Sequence, residues 1–270
     1  MLKALKLTKR LVGIAIAAAV ASAGAAVAAN ASDLVQNGAR NALPDGARAV
    51  LYIPAKAASA DTGAAAEGGS GLAAVPAYEG AASTELNGGI PWFTADDLEK
   101  AAKSPGFEEY GEKDRLGRCT AATACVGPET MPTKGEKRGS IGMVKPSGWH
   151  TVKYEGIDGK YLYNRCHLIA WCLGAENANE RNLVTGTRCM NTEGMLPYEE
   201  AVAKYIDRTG NHVLYRATPV FDGDDLVCKG VLIEAQSVED GGEGVRICAF
   251  CHNVQPGIGI DYATGDSWEA

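Results

Sequence analysis

Three common catalytic signatures are missing from the 270 residues: Gly-x-x-x-x-Gly-Lys-Ser/Thr, His-Glu-x-x-His and Gly-x-Ser-x-Gly. Their absence argues against a phosphate-loop nucleotidase, a zinc-protease helix and a serine-hydrolase elbow. No internal repeat is present, which excludes a solenoid or a propeller. No Leu-x-x-Cys lipobox follows the N-terminal apolar run. Positive charge is not in surplus either. Lys and Arg number 26 against 33 Asp and Glu, for a net charge of −7. Without Lys3, Lys6, Lys9 and Arg10 the balance is −11, so the chain does not grip polyanions by overall charge.

The charge that is there is uneven. Residues 134–188 hold nine Lys and Arg and five acids. A basic patch on an acidic body suits a polyanion that must bind and also leave. Residues 1–29 combine a basic start, an uncharged run from Leu11 to Ala29 and a small-x-small site at Ala26-Val27-Ala28. That pattern is expected for a secretory signal, or for an uncleaved membrane anchor. Both place the remainder outside the cytoplasmic membrane. Residues 30–75 read as an Ala/Gly-rich linker, because 54–74 have too few large apolar groups to offset their ordering entropy. One domain is expected over 76–270. Eight cysteines in an exported chain suggest disulfides, with 105 possible pairings.

The domain reads as α+β. Thr94 is an expected N-cap for a helix ending near Lys103. A loop-rich stretch follows to Trp149. His150–Tyr154 and Lys160–Leu168 read as a hairpin over Asp158-Gly159. Glu193–Asp207 reads as a helix, with Pro197 either at its first position or kinking it. Val213–Phe221, Leu226–Ala235 and Val245–Val254 read as strands between acidic, Gly-rich turns. Placing Glu239 and Asp240 at the tip of the last hairpin sets Cys228 opposite Cys251, within disulfide range.

Chemistry concentrates at Asn164-Arg165-Cys166-His167, followed by Asn182, Asn191 and Glu199. Phosphodiester hydrolysis needs a base, and imidazole serves near neutral pH. It needs a hard cation at the leaving oxygen, and Mg²⁺ prefers oxygen ligands. It also needs a fixed cation for the transition-state charge. His167, Asn191 and a nearby arginine meet these needs. Cys166 is not expected to act with His167, since neighbours on a strand point to opposite faces.

These spacings resemble the DNA/RNA non-specific endonuclease family of the ββα-metal superfamily, in an exported Gram-positive-like branch. Asn182-Leu-Val-Thr-Gly-Thr-Arg-Cys-Met-Asn191, Lys145-Pro-Ser-Gly-Trp149 and Asn253-Val-Gln-Pro-Gly257 carry the likeness further. The chain departs from the family's Asp-Arg-Gly-His at Asn164 and Cys166. The resemblance implies a mixed or antiparallel sheet around a ββα-metal core. It implies a sequence-non-specific endonuclease acting on DNA and RNA and leaving 5′-phosphate ends. It implies one Mg²⁺, replaceable by Mn²⁺, and no obligate protein partner. His167 would be the base, Asn191 the metal ligand, and Glu199 would act through metal waters. Asn164, Arg165 and Asn182 would form the surrounding shell. Arg138, 29 residues before His167, would contact phosphate, with Arg118 a second choice.

A competing pattern is Cys248-Ala-Phe-Cys251-His252, which matches a c-type haem attachment site. Its setting in a strand-like run argues against haem, and against zinc at the same cysteines. Trp149, Trp171 and Tyr198 read either as base-stacking groups or as core.

Overall fold

A computed structural model describes residues 72–270. The signal or anchor of 1–29 and nearly all of the 30–75 linker lie outside the described residues. Among the described residues, no helix is long and apolar enough to cross a membrane.

The first helix, α1 (Ala95–Lys103), begins where Thr94 caps it. The Thr94 side chain accepts from the Asp97 amide, and the Asp97 carboxylate accepts from the Thr94 amide. Around it run strands β1 (Ser83–Glu85), β2 (Glu108–Tyr110) and β3 (Ala122–Val126). Later strands β6 (Val213–Val220), β7 (Gly230–Ser237) and β8 (Arg246–His252) complete a six-stranded antiparallel sheet ordered β1-β8-β7-β6-β3-β2.

Alternation along β7 explains the layering. Val231, Ile233 and Ala235 enter the main core, while Leu232 joins Phe250 and Cys248 on the other face. Glu234, fully buried on that second face, accepts from the Arg216 guanidinium (2.7 and 2.9 Å) and the Trp92 amide (2.8 Å). The α1 side holds Ala101, Cys125 and Leu214 as a smaller cluster.

The main core is closed by a separate hairpin, β4 (Tyr163–His167) with β5 (Leu183–Thr187), and by α3 (Leu196–Thr209). The short α2 (Trp171–Gly174) lies between the two hairpin strands in sequence. A π-helical turn, Met190–Met195, leads into α3, with Pro197 in its first turn. Strands β9 (Ile258–Ile260) and β10 (Ser267–Glu269) form a C-terminal hairpin.

Several expectations are corrected. The strand bearing His167 pairs with Leu183–Thr187, not with His150–Tyr154. Those earlier residues contribute a single bridge, Lys153 to Tyr161, because Tyr154–Lys160 closes as a tight turn. The stretch read as loop contains β3, whose Ala122, Ala124, Cys125 and Val126 are fully buried. In the last hairpin Cys251 faces Val231, and Cys228 precedes β7, three residues off the expected register. All eight cysteines are unpaired, so the expected disulfides are absent from this structure.

Candidate active site

Strand alternation sets the first residue. Cys166 points into the core and is fully buried, while His167 turns the other way into a cavity of about 200 Å³. Arg138, Ala170, Trp171, Cys172, Asn191, Leu196 and Glu199 complete the lining. The β4–β5 hairpin supplies His167, the π-helical turn supplies Asn191, and α3 supplies Glu199 eight residues, about two turns, later. A π turn widens the helix locally and is often found at functional positions.

The His167 ring is held at both nitrogens. The Arg138 guanidinium donates to Nδ1 (2.8 Å), so Nδ1 carries the lone pair. Nε2 then bears the proton and donates to the Asn177 carbonyl (2.9 Å). Burial, with the Arg138 charge adding to it, pulls the imidazole pKa down to about 4. The ring is therefore neutral at pH 7 and able to accept a proton at Nδ1.

Glu199 is 9% exposed. Burial pushes its pKa up to about 8, against the pull of Arg138. No hydrogen-bond donor offsets that burial among the described residues. The carboxyl thus stands in the cavity without a partner for its charged form. Asn191, with its amide oxygen, lines the same cavity. An amide oxygen and a carboxyl that burial keeps largely neutral until a cation compensates it fit a divalent ion that keeps most of its waters. Among the described residues no group of three or more His, Cys, Asp and Glu gathers as a protein-only metal cage.

Other expected residues fall outside the cavity. Both amide groups of Asn182 are engaged with the Ile169 backbone (2.8 and 3.0 Å). Asn182 closes the loop after His167 and is not free to orient metal waters. Arg165 stacks on Trp149 (3.9 Å to the ring centroid) and donates to the Gly142 carbonyl (2.9 Å) and the Val144 carbonyl. It pins a loop. Asn164 lies on the Cys166 side of β4, and its buried Nδ2 has no partner. Arg118 is half-enclosed by Asp114 and the carbonyls of Gly223 and Asp225, away from the cavity lining. Trp171 and Leu196 line the cavity, while Trp149 and Tyr198 pack elsewhere.

Asn177 was missed. Its carbonyl anchors His167 and its side chain accepts from the Gly139 amide (2.9 Å). In sequence it is one polar residue in a polar loop. Only its alignment over the end of β4 distinguishes it.

The haem reading fails on geometry. Cys248 packs with Phe250 and Leu232, Cys251 sits in the main core on the opposite face, and His252 Nε2 bonds to the Thr84 hydroxyl (2.8 Å).

A histidine ending one hairpin strand, with an asparagine and a glutamate on the helix that follows, is the ββα-metal arrangement. The chain belongs to the DNA/RNA non-specific endonuclease family, a family of nucleic-acid hydrolases whose model matches residues 99–239. A deoxyribonuclease from Streptococcus dysgalactiae subsp. equisimilis is 32% identical over 112 residues, 39% of this chain. The aligned part spans about a third (32%) of that protein's length. The magnesium-bound crystal structure of NucA from Streptococcus agalactiae superposes with a TM-score of 0.59 at 26% identity. That match covers 69% of this chain and 86% of NucA. The zinc-bound structure of Sda1 nuclease gives a TM-score of 0.53 at 25% identity, over 64% of this chain and 88% of Sda1.

Proposed function

We propose that this chain is an exported, sequence-non-specific endonuclease that hydrolyses DNA and RNA phosphodiesters with the help of Mg²⁺. The observation that carries the reading is the neutral His167 imidazole, held at Nε2 by Asn177, in one cavity with Arg138, Asn191 and Glu199. Residues 1–29 would act as signal or anchor, 30–75 as linker and 76–270 as the catalytic domain.

Nδ1 of His167 takes the proton from the attacking water. The hydrogen bond from Nε2–H to the Asn177 carbonyl fixes the ring's tautomer and steadies the imidazolium that forms. Arg138 moves from Nδ1 to the phosphate, where its charge steadies the added negative charge. Asn191 and Glu199 would hold the divalent ion, and Mg²⁺ there would stabilise the leaving 3′ oxygen, giving 5′-phosphate ends. The structures of NucA with a magnesium ion bound and of Sda1 with a zinc ion bound support the use of a divalent ion. Mn²⁺ is expected to substitute.

Plasmid nicking by the purified chain, with Mg²⁺ and with EDTA, tests the reading. Nicking that needs the ion supports it. Retention of plasmid without cleavage would instead mark a nucleic-acid-binding relative.

A further inference from the structure

Buried polar groups nearly always find partners, so an exception calls for an explanation. Tyr215 is one. It is fully buried in β6, and its hydroxyl has no hydrogen-bond partner among the described residues. Burial holds the phenol well above its ordinary pKa, with the Glu199 charge adding to the effect, then Cys251 and Cys172. The hydroxyl therefore keeps its proton and has that proton to donate.

Local structure aims the ring. Val213, Tyr215 and Ala217 alternate into the main core, while Leu214 turns to the α1 side. The residues opposite Tyr215 are Ala124 on β3 and Ala235 on β7, both fully buried. Two methyl groups leave the ring free to stand toward the next layer. That layer is α3, whose Val202, Tyr205 and Ile206 belong to the same core cluster. Glu199 lies on the same buried face of α3, three residues before Val202. Cys172 packs against the cluster too, and it lines the cavity together with Glu199. Two of the three groups that act on the Tyr215 hydroxyl are thus cavity-lining groups, which puts the hydroxyl beneath the cavity floor.

Chemistry selects among the three. Burial raises the Cys172 thiol to about 11 and the Cys251 thiol further, so neither is a thiolate at pH 7. A neutral thiol is a weak acceptor. Glu199 is the one oxygen acceptor among them, and no donor offsets its own burial. A donor without an acceptor and a carboxyl without a donor meet under one cavity. A carboxylate engaged by a cation is ionised, and a hydrogen bond to an ionised acceptor is the stronger kind.

We propose that Tyr215 is a positioning residue for the divalent ion: its hydroxyl donates to the Glu199 carboxylate and fixes the direction in which that group faces the ion. The proposal rests on the reading of Asn191 and Glu199 as the groups that hold the ion. Tyr215 itself touches neither ion nor substrate. Its donor is carried on an interior strand, with β7 on one side and β3 on the other.

Tyr215→Phe removes one oxygen and keeps the ring. The test is binding of Mn²⁺ alone to the full chain without nucleic acid, read from the loss of the free-ion EPR signal at pH 7. Removing a group that supports a metal ligand weakens affinity by about 10-fold or more, and Tyr215→Phe should do so. In a Glu199→Ala background the same change should add nothing. In EDTA, Tyr215→Phe should melt no lower than the parent, because the hydroxyl it removes has no partner there. Unchanged Mn²⁺ affinity overturns the inference. So does an equal loss in the Glu199→Ala background, or a lower melting temperature in EDTA, either of which marks a general packing role. A parent chain that binds no Mn²⁺ sinks the metal reading of the cavity, and the inference with it. A parent that binds the ion while Tyr215→Phe binds it equally well sinks the inference alone.

Discussion

Arg138 donates to Nδ1 of His167 across 2.8 Å, so an exposed cation rests on the lone pair proposed to accept a proton. The contact is tolerable only because the ring is neutral. It depresses the imidazole pKa, and it must be released before the base can act. Arg138→Ala removes one of the two influences that lower that pKa, the other being burial. The rate depends on the neutral ring, so the acid limb of the pH–rate profile should move up from about 4 toward 6.5. Loss of the transition-state cation should cost about 10²-fold in kcat/KM. A nicking profile between pH 4 and 8 measures both, and an unmoved limb would mean the contact does not form in solution.

His167→Ala should lower nicking by at least about 10²-fold while leaving the fold intact. It should also change acid stability. The folded pKa near 4 lies below the unfolded value of 6.5, so the unfolded chain binds more protons between these limits. Stability conferred by the neutral ring is complete above pH 6.5 and is lost as pH falls through 4. The loss amounts to about 3 kcal/mol. Thermal melting at pH 7 and pH 4.5 should show a smaller acid drop in the variant than in the parent.

Asn191→Ala should raise the Mg²⁺ midpoint of nicking more than Glu199→Ala does. The amide is a ligand without charge compensation elsewhere, and Glu199 is proposed to work partly through water. A change of 10- to 100-fold is the order expected for supporting groups. Identical midpoints in both variants and the parent would place the ion elsewhere.

Glu234→Ala should destabilise without touching the chemistry. It leaves Arg216 half-buried on the far side of the sheet without its main carboxylate. Breaking such a pair costs roughly 3–5 kcal/mol. Urea unfolding should register this, while kcat stays at the parent value.

What the sequence made legible was local. The α1 cap at Thr94 is a four-residue pattern, and from Tyr215 onward β6 alternates between buried and half-buried side chains. The spacing of His167, Asn191 and Glu199 brought one strand end and one helix face to the same cavity. What was not legible was long-range. Lys160–Leu168 followed a good turn signal, yet Tyr163–His167 takes its partner from residues 183–187. β3 is short and Ala-rich, so its burial comes from β6 beside it and not from its own hydrophobicity. The cysteine register failed because the acidic turn closes over 238–245 through Ser237, Asp240 and Val245, which shifts the pairing by three. Asn182 and Arg165 carry the right residue types for a site, and their side chains serve the backbone around it.

The helix turn that carries Asn191 is mortised into the edge of the sheet. A Cβ at Gly194 would stand 3.1 Å from the Ala82 carbonyl and 3.3 Å from the Cys251 Cβ. The same Ala82 carbonyl accepts from the His252 amide (2.9 Å), and Ser83 meets the hydroxyl of Tyr198, next to Glu199 (3.0 Å). The smallest excisable catalytic unit is thus wider than the stretch that defines the family. A fragment cut at residue 99 would keep every proposed catalytic group and lose the wedge against which their helix is seated.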